Sequence, residues 1–282
     1  METVCRLFII ITMELILEPF QYAFMVRALL AGLVVGTVAP LLGQFMVVRR
    51  YSLFPDTLSH VALFGIAVAL SLGVQPVLGA LITSIMAALL MERLRGKKIH
   101  SLQGDTTLAL FLSGSLAAAV VIMGLARGVR IDMSSLLFGS ITTIGVHELW
   151  WIGGIGAVVL ALVSWGYSYL FAVSFDEDNA RVQGIPVRLV NGLLMMGVAL
   201  VVSVAIRAVG ALLIGALMVI PVLTASMLQK SFKATMGMAI LYAWMAIISG
   251  LFISYYLGVA SGGAIVLVSL AIYIAVLLTH RV

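Results

Sequence analysis

Asp56 and His60 stand four residues apart at the head of a long run, Pro55 to Leu72, that carries no other ionisable residue. On a helix, residues at i and i+4 lie one above the other on one face, roughly 6 Å apart at Cβ, so a carboxylate and an imidazole placed this way can share one divalent cation. Arg49 and Arg50 mark an aqueous edge just before the run. At a rise of about 1.5 Å per residue His60 lies some 15 Å beyond that edge, near the middle of a ~30 Å hydrocarbon core, with Asp56 one turn shallower. Ionisable groups at such depth cost on the order of 3 kcal/mol each and by default mark an ion or proton path. Read singly, Asp56 is also a first-turn acid facing the positive end of a helix dipole, and His60 an interior histidine bonded to a neighbouring helix. The pairing on one face is what points to an ion.

The elements that must position this pair are membrane helices. Of the 282 residues 63% are hydrophobic and only 10% charged, which predicts an all-α, polytopic transmembrane bundle. The single cysteine, Cys5, excludes an internal disulfide and a thiolate metal site. The net charge of +5 comes from bases in short loops between apolar runs, so a cytoplasmic surface explains it without nucleic acid. Leu7 to Ile11 is too short, and too soon followed by Thr12 and Glu14, for a cleavable leader. Residues 1–22 read as a lead-in, with Glu14 to Tyr22 lying in the membrane interface.

Taken in order, the first span runs from Ala23 to Val48, with Gly32 and Gly36 spaced for close helix contact and Pro40 placed to kink it. The second carries Asp56 and His60 and ends near Gly73; the third is Pro76 to Leu94, the fourth Thr106 to Leu125. Met133 to Ile144 is too polar and Gly/Ser-rich to cross simply, and reads as a short extracytoplasmic gating helix or re-entrant piece. The fifth span is Leu149 to Phe171. The sixth, Leu189 to Ile206, meets the seventh, Ala211 to Leu228, with almost no loop, and Pro221 bends the seventh, where Thr224 is one group that can take up a freed carbonyl. The eighth and ninth are Met236 to Leu257 and Ala264 to Leu278, giving about eight or nine spans in one transmembrane domain over residues 1–282.

Between the fifth and sixth spans lies the one strongly hydrophilic interruption of the second half, residues 174–187. Asp176, Glu177 and Asp178 suit a first helical turn, Gly184 the position just past its end, and Pro186 the start of the next span. The acid triplet therefore reads as a solvated helix start rather than a metal site. Except for Arg6, Arg27, Arg127, Arg130 and Arg207, the sixteen Lys and Arg fall on one side of this arrangement, which puts the 174–187 segment in the cytoplasm.

Several chemistries are absent. No GxxxxGK[ST] is present for ATP, and no GxSxG nucleophile elbow. His147-Glu148 begins like a zincin motif, but Trp151 occupies the place of the second histidine. His100 and His280 sit at the cytoplasmic ends of spans and read as solvated. A bundle with a buried Asp/His pair and one cytoplasmic helix favours a transporter over an enzyme.

From about Leu17 to Leu278 the chain resembles the ABC-type permeases that import zinc, manganese or iron(II), in VVRRYSLFPDTLSHVALFGIAVAL, SSLLFGSI, SFDEDNARVQGIPVRLVN, AVGALLIGALMVIPVLTAS and SYYLGVASGGAIVLV, in that order and spacing. The resemblance implies a homodimer in the bacterial inner membrane, an ABC ATPase subunit, and an extracytoplasmic metal-binding protein that delivers the ion. It carries the cation site of the pathway onto Asp56 and His60, and the coupling helix that docks on the ATPase onto Asp176 to Gly184, with Ala180 and Gly184 the best-matching positions. Phe54-Pro55 departs from the small residues frequent there in relatives. No cofactor is expected to stay bound; the transported Zn2+ or Mn2+ is cargo. Arg127, Arg130 and Asp132, on the outward side, are candidate docking residues for the delivery protein. Two other readings stay open: an ABC permease for a metal chelate of the siderophore or cobalamin class, and a secondary carrier with Asp56 and His60 as a proton relay.

Overall fold

A computed structural model describes residues 18–96, 104–125, 133–139 and 144–279. After a short turn at Glu18–Gln21, the helices in chain order are α1 (Ala23–Val48), α2 (Phe54–Ser71), α3 (Pro76–Gly96), α4 (Gly104–Leu125), α5 (Met133–Phe138), α6 (Val146–Phe175), α7 (Glu177–Val182), α8 (Val187–Val209), α9 (Ala211–Ser226), α10 (Phe232–Leu257) and α11 (Ser261–Thr279). No strand occurs among the described residues. Eight of these helices are long and apolar enough to cross a membrane, and α9 is a shorter apolar one, so the expected eight or nine spans are present.

The interior is built from α1, α2, α8 and α9. Over their apolar windows α2 and α8 are each 72% buried, whereas α4 is 11% and α6 and α11 are 22%. Glycine lets these helices approach. A Cβ at Gly32 of α1 would come within 2.8 Å of Ile247 of α10, and one at Gly43 within 2.8 Å of the carbonyl carbon of Met218 in α9. Gly65 of α2 and Gly79 of α3 meet almost backbone to backbone: a Cβ on the first would sit 2.8 Å from the carbonyl carbon of the second. In hydrocarbon, where apolar side chains gain little by leaving lipid, such close dispersion contact is what holds helices together.

Several buried hydroxyls are folded back onto the backbone. Ser203 Oγ donates to its own helix at Ala199 (2.6 Å) and across to Ala80 of α3 (3.2 Å). Pro221 lies inside α9, and the Thr224 hydroxyl donates to Ile220 O (2.8 Å) rather than to the carbonyl four residues before the proline.

Three junctions set the geometry. The α1–α2 turn is closed by Arg50 N–H to Val47 O (3.0 Å) and Tyr51 N–H to Met46 O (2.8 Å), the paired bonds of a Schellman stop. Arg50 holds the left-handed conformation this requires (φ 61°), at a cost of about 1–2 kcal/mol for a residue with a Cβ. At the far end Gly210 alone (φ 94°) joins α8 to α9. A Cβ there would lie 2.5 Å from Gly139 N and the Phe138 carbonyl carbon at the end of α5, and one on Gly262 would lie 2.9 Å from Val209 O. Of the short piece expected over Met133 to Ile144, Met133–Phe138 is present as α5, seated on the α8–α9 elbow, while residues 140–143 lie outside the described residues. Third, α6 is longer than the expected Leu149 to Phe171, beginning at Val146 and ending at Phe175. Its 30 residues span about 45 Å, more than a ~30 Å hydrocarbon core, so it either tilts steeply or extends past the core.

Candidate metal-transit site

Asp56 falls in the first turn of α2, directly after Pro55, which occupies a position whose N–H has no helical partner anyway. The nearby hydroxyls are already committed: Thr57 Oγ1 donates to Leu53 O (3.0 Å) and Ser59 Oγ to the Asp56 carbonyl (2.7 Å). The imidazole is different. His60 is 7% exposed, and its Nδ1 is buried with no hydrogen-bond partner among the described residues. A neighbouring helix therefore does not satisfy that nitrogen, as the plainer reading of a lone interior histidine would require. An unmet buried polar atom costs roughly 1–3 kcal/mol, a cost that a ligand at the site removes.

Asp56 is partly exposed and looks onto α9 at Gly215. A Cβ at Gly215 would stand 3.3 Å from the Asp56 Cβ and 3.4 Å from its Oδ1, so the absence of a side chain there is what gives the carboxylate its room. The spacing of Asp56 and His60 drew attention to α2, but nothing in it named Gly215. The signal for Gly215 was a lone glycine, between Ile214 and Ala216, in an apolar late span. Among the described residues no three of His, Cys, Asp and Glu gather closely enough to hold a metal ion. Among the described residues one chain therefore brings at most two such ligands to this face.

The helix and helix ends expected within 174–187 are present. Asp176 is the N-cap of α7, its Oδ1 accepting from Asn179 N–H (2.9 Å), a cap worth about 1 kcal/mol. Glu177 and Asp178 pair with Arg181 (2.6 and 3.3 Å) on the solvent side, where such bridges contribute no more than about 1 kcal/mol. Gly184 (φ 80°) ends the helix, with its N–H on Arg181 O and Ile185 N–H on Ala180 O, both 3.0 Å. Ala180 is buried, so α7 rests on the bundle through it while the acids face away. Arg127, Arg130 and Asp132 lie outside the described residues.

Two further features bear on chemistry. His147 is exposed at the start of α6, and Trp151 Nε1 donates to its Nε2 (3.3 Å), so the residue that displaces a zincin's second ligand hydrogen-bonds the first. A cavity of about 280 Å³ between α6 and α8, lined by Trp165, Tyr169, Leu189 and Leu193, and a groove of about 660 Å³ among α2, α3 and α4 are both apolar and contain neither Asp56 nor His60. Their linings offer no carboxylate or imidazole to an ion.

Comparison with known proteins matches a family model, the ABC 3 transport family, over residues 21–280. The chain is 31% identical to the high-affinity zinc uptake system membrane protein ZnuB of Haemophilus influenzae, over 90% of this chain and 97% of that one. It is 32% identical to the manganese import system permease protein ScaB of Streptococcus parasanguinis, over 90% of each. Among solved structures it resembles PsaBC from Streptococcus pneumoniae in complex with Fab, with a TM-score of 0.84 and 31% identity over 94% of this chain and 95% of that one.

Proposed function

The chain belongs to the ABC 3 transport family, a multi-pass membrane transport subunit, and from that premise we propose that it is the permease of an ATP-driven importer for a divalent transition-metal ion. The ion passes between two copies of the chain. Each contributes Asp56 and His60, and the four O/N donors suit zinc first, then manganese or iron(II). Relatives named for zinc and for manganese support the metal class and divide on the metal. The observation that carries the reading is the buried, unpartnered Nδ1 of His60 on the same helical face as Asp56. Among the described residues one chain supplies at most two such ligands, so the site is complete only where two copies meet, which suits a transit point that must admit the ion and release it.

The permease works with two kinds of partner. An ABC ATPase docks at α7 through Asp176, Glu177, Asp178, Ala180 and Gly184 and supplies the conformational work, and an extracytoplasmic metal-binding protein delivers the ion at the side of Arg127, Arg130 and Asp132. Residues 1–282 act as one permease domain. Membership of an ABC family argues against a proton-coupled carrier.

The test is uptake of zinc, manganese and iron(II) by vesicles holding the complete complex, for the native chain, Asp56→Ala and His60→Ala. Both variants are expected to assemble and to lose more than the roughly 100-fold that removal of an outer-shell partner can cost a metal site. Native uptake should also fall on acidification, because imidazole ligates only when neutral. Uptake that survives both substitutions would make the pair structural.

A further inference from the structure

The α7 segment is held on both flanks by one side chain. Arg49, which closes α1, donates from Nε to Ser174 Oγ (2.9 Å) and from Nη1 to Asn191 Oδ1 (2.5 Å). Ser174 lies at the end of α6, two residues before the cap of α7, and Asn191 near the start of α8, beyond Gly184. Both acceptors are buried, 8% and 4% exposed, and Ser174 is pinned in turn by its bond to Leu170 O (2.6 Å). Asn191 also faces the Glu92 carboxylate of α3, on which the Arg49 and Glu177 charges act as well. A guanidinium with its donors in a rigid fork can hold two acceptors on different helices at once, and charged hydrogen bonds of this kind are about twice as strong as neutral ones.

The other end of this linkage is Asp56, seven residues on. The intervening chain has little freedom: beyond the two bonds of the Schellman stop, Phe54 N–H reaches Tyr51 O (3.1 Å) and Thr57 N–H reaches Leu53 O (3.0 Å). A shift of the α6–α7–α8 corner that moves Ser174 and Asn191 together must therefore move Arg49, and Arg49 cannot move without the first turn of α2.

We propose that Arg49 is a positioning residue for transport, a two-pronged clamp through which displacement of the Asp176–Gly184 segment is delivered to the Asp56 end of α2. This rests on the reading of Asp56 and His60 as the transit site and of α7 as the docking point of the ATPase. The clamp binds no metal and takes no part in hydrolysis. It sets how many ions cross for each ATP consumed.

The experiment measures phosphate release and zinc or manganese uptake on the same vesicles containing the permease, its ATPase and the delivery protein. Arg49→Gln is expected to assemble, to keep hydrolysing ATP, and to lose about tenfold in ions carried per ATP, within the range of ordinary coupling energies. Arg49→Lys, whose single ammonium holds one flank at a time, should fall between. Ser174→Ala combined with Asn191→Leu removes both acceptors while keeping Arg49, and should uncouple as Arg49→Gln does. Native ions per ATP in Arg49→Gln would overturn the clamp, as would an equal fall in hydrolysis and uptake. Failure of both Arg49→Gln and the double variant to assemble would also overturn it, by making the cluster a folding element. Asp56→Ala in the same series separates the two claims. If it carries metal normally, the transit site fails and the clamp has nothing to position; if it loses uptake while Arg49→Gln stays coupled, only the clamp fails.

Discussion

The helices α2 and α4 pack against each other, yet they are opposite in kind. The window of α2 is 72% buried and contains Asp56, Thr57, Ser59 and His60; that of α4 is 11% buried and holds no ionisable residue between Thr106 and Leu125. A soluble protein would pair them the other way, with the apolar helix inside. Here the solvent is hydrocarbon, so the outer helix must be apolar all round, and only the interior can house groups that need partners. For these two helices polarity goes with burial, whereas α8 is as buried as α2 while being as apolar as α4.

That contrast can be broken at three points of decreasing severity. Gly65→Val places a branched side chain against the Thr83 hydroxyl and against the Gly79 carbonyl, which is main chain and cannot yield. Overpacking of this sort costs about 1–3 kcal/mol or more, and the variant should lose most of its monodisperse fraction in detergent and unfold at lower temperature. A native profile would show that the α2–α3 contact is looser than its geometry. Gly215→Val should assemble but crowd Asp56, lowering uptake by on the order of tenfold, comparable to disturbing the surroundings of a metal ligand. Gly215→Ala, whose Cβ stands at 3.3 Å from that of Asp56, should lie nearer native; equal uptake in both would detach Gly215 from the site. Val121→Ala on the outer face of α4, 59% exposed, sets the floor: its stability should stay within about 0.5 kcal/mol of native, with unchanged uptake. A clear loss there would mean that another chain rather than lipid covers α4.

The sequence was legible wherever local chemistry decides the outcome. Pro55 and Pro76 opened helices where expected, Asp176 and Gly184 bounded α7, and Gly32 and Gly36 met another helix closely. The run through Ser174 was harder to read: polarity there suggested an end, but a serine that bonds its own Leu170 carbonyl sits comfortably inside a helix, and α6 goes on to Phe175. Arg49 was legible as a marker of the aqueous edge and no further, because its partners lie 125 and 142 residues away along the chain. Which face of each span turns inward was equally hidden, since lipid and interior ask for the same apolar side chains.

The meeting of Gly139, Gly210 and Gly262 carries a consequence for how this protein can change. A clash between two side chains can be repaired by trimming the neighbour. At this crossing the neighbours of each glycine are carbonyls and amides of the other segments, which no codon can shorten. A residue larger than glycine at Gly210 therefore has no second-site suppressor among its contacts, and the three positions can vary only by moving the helices that carry them.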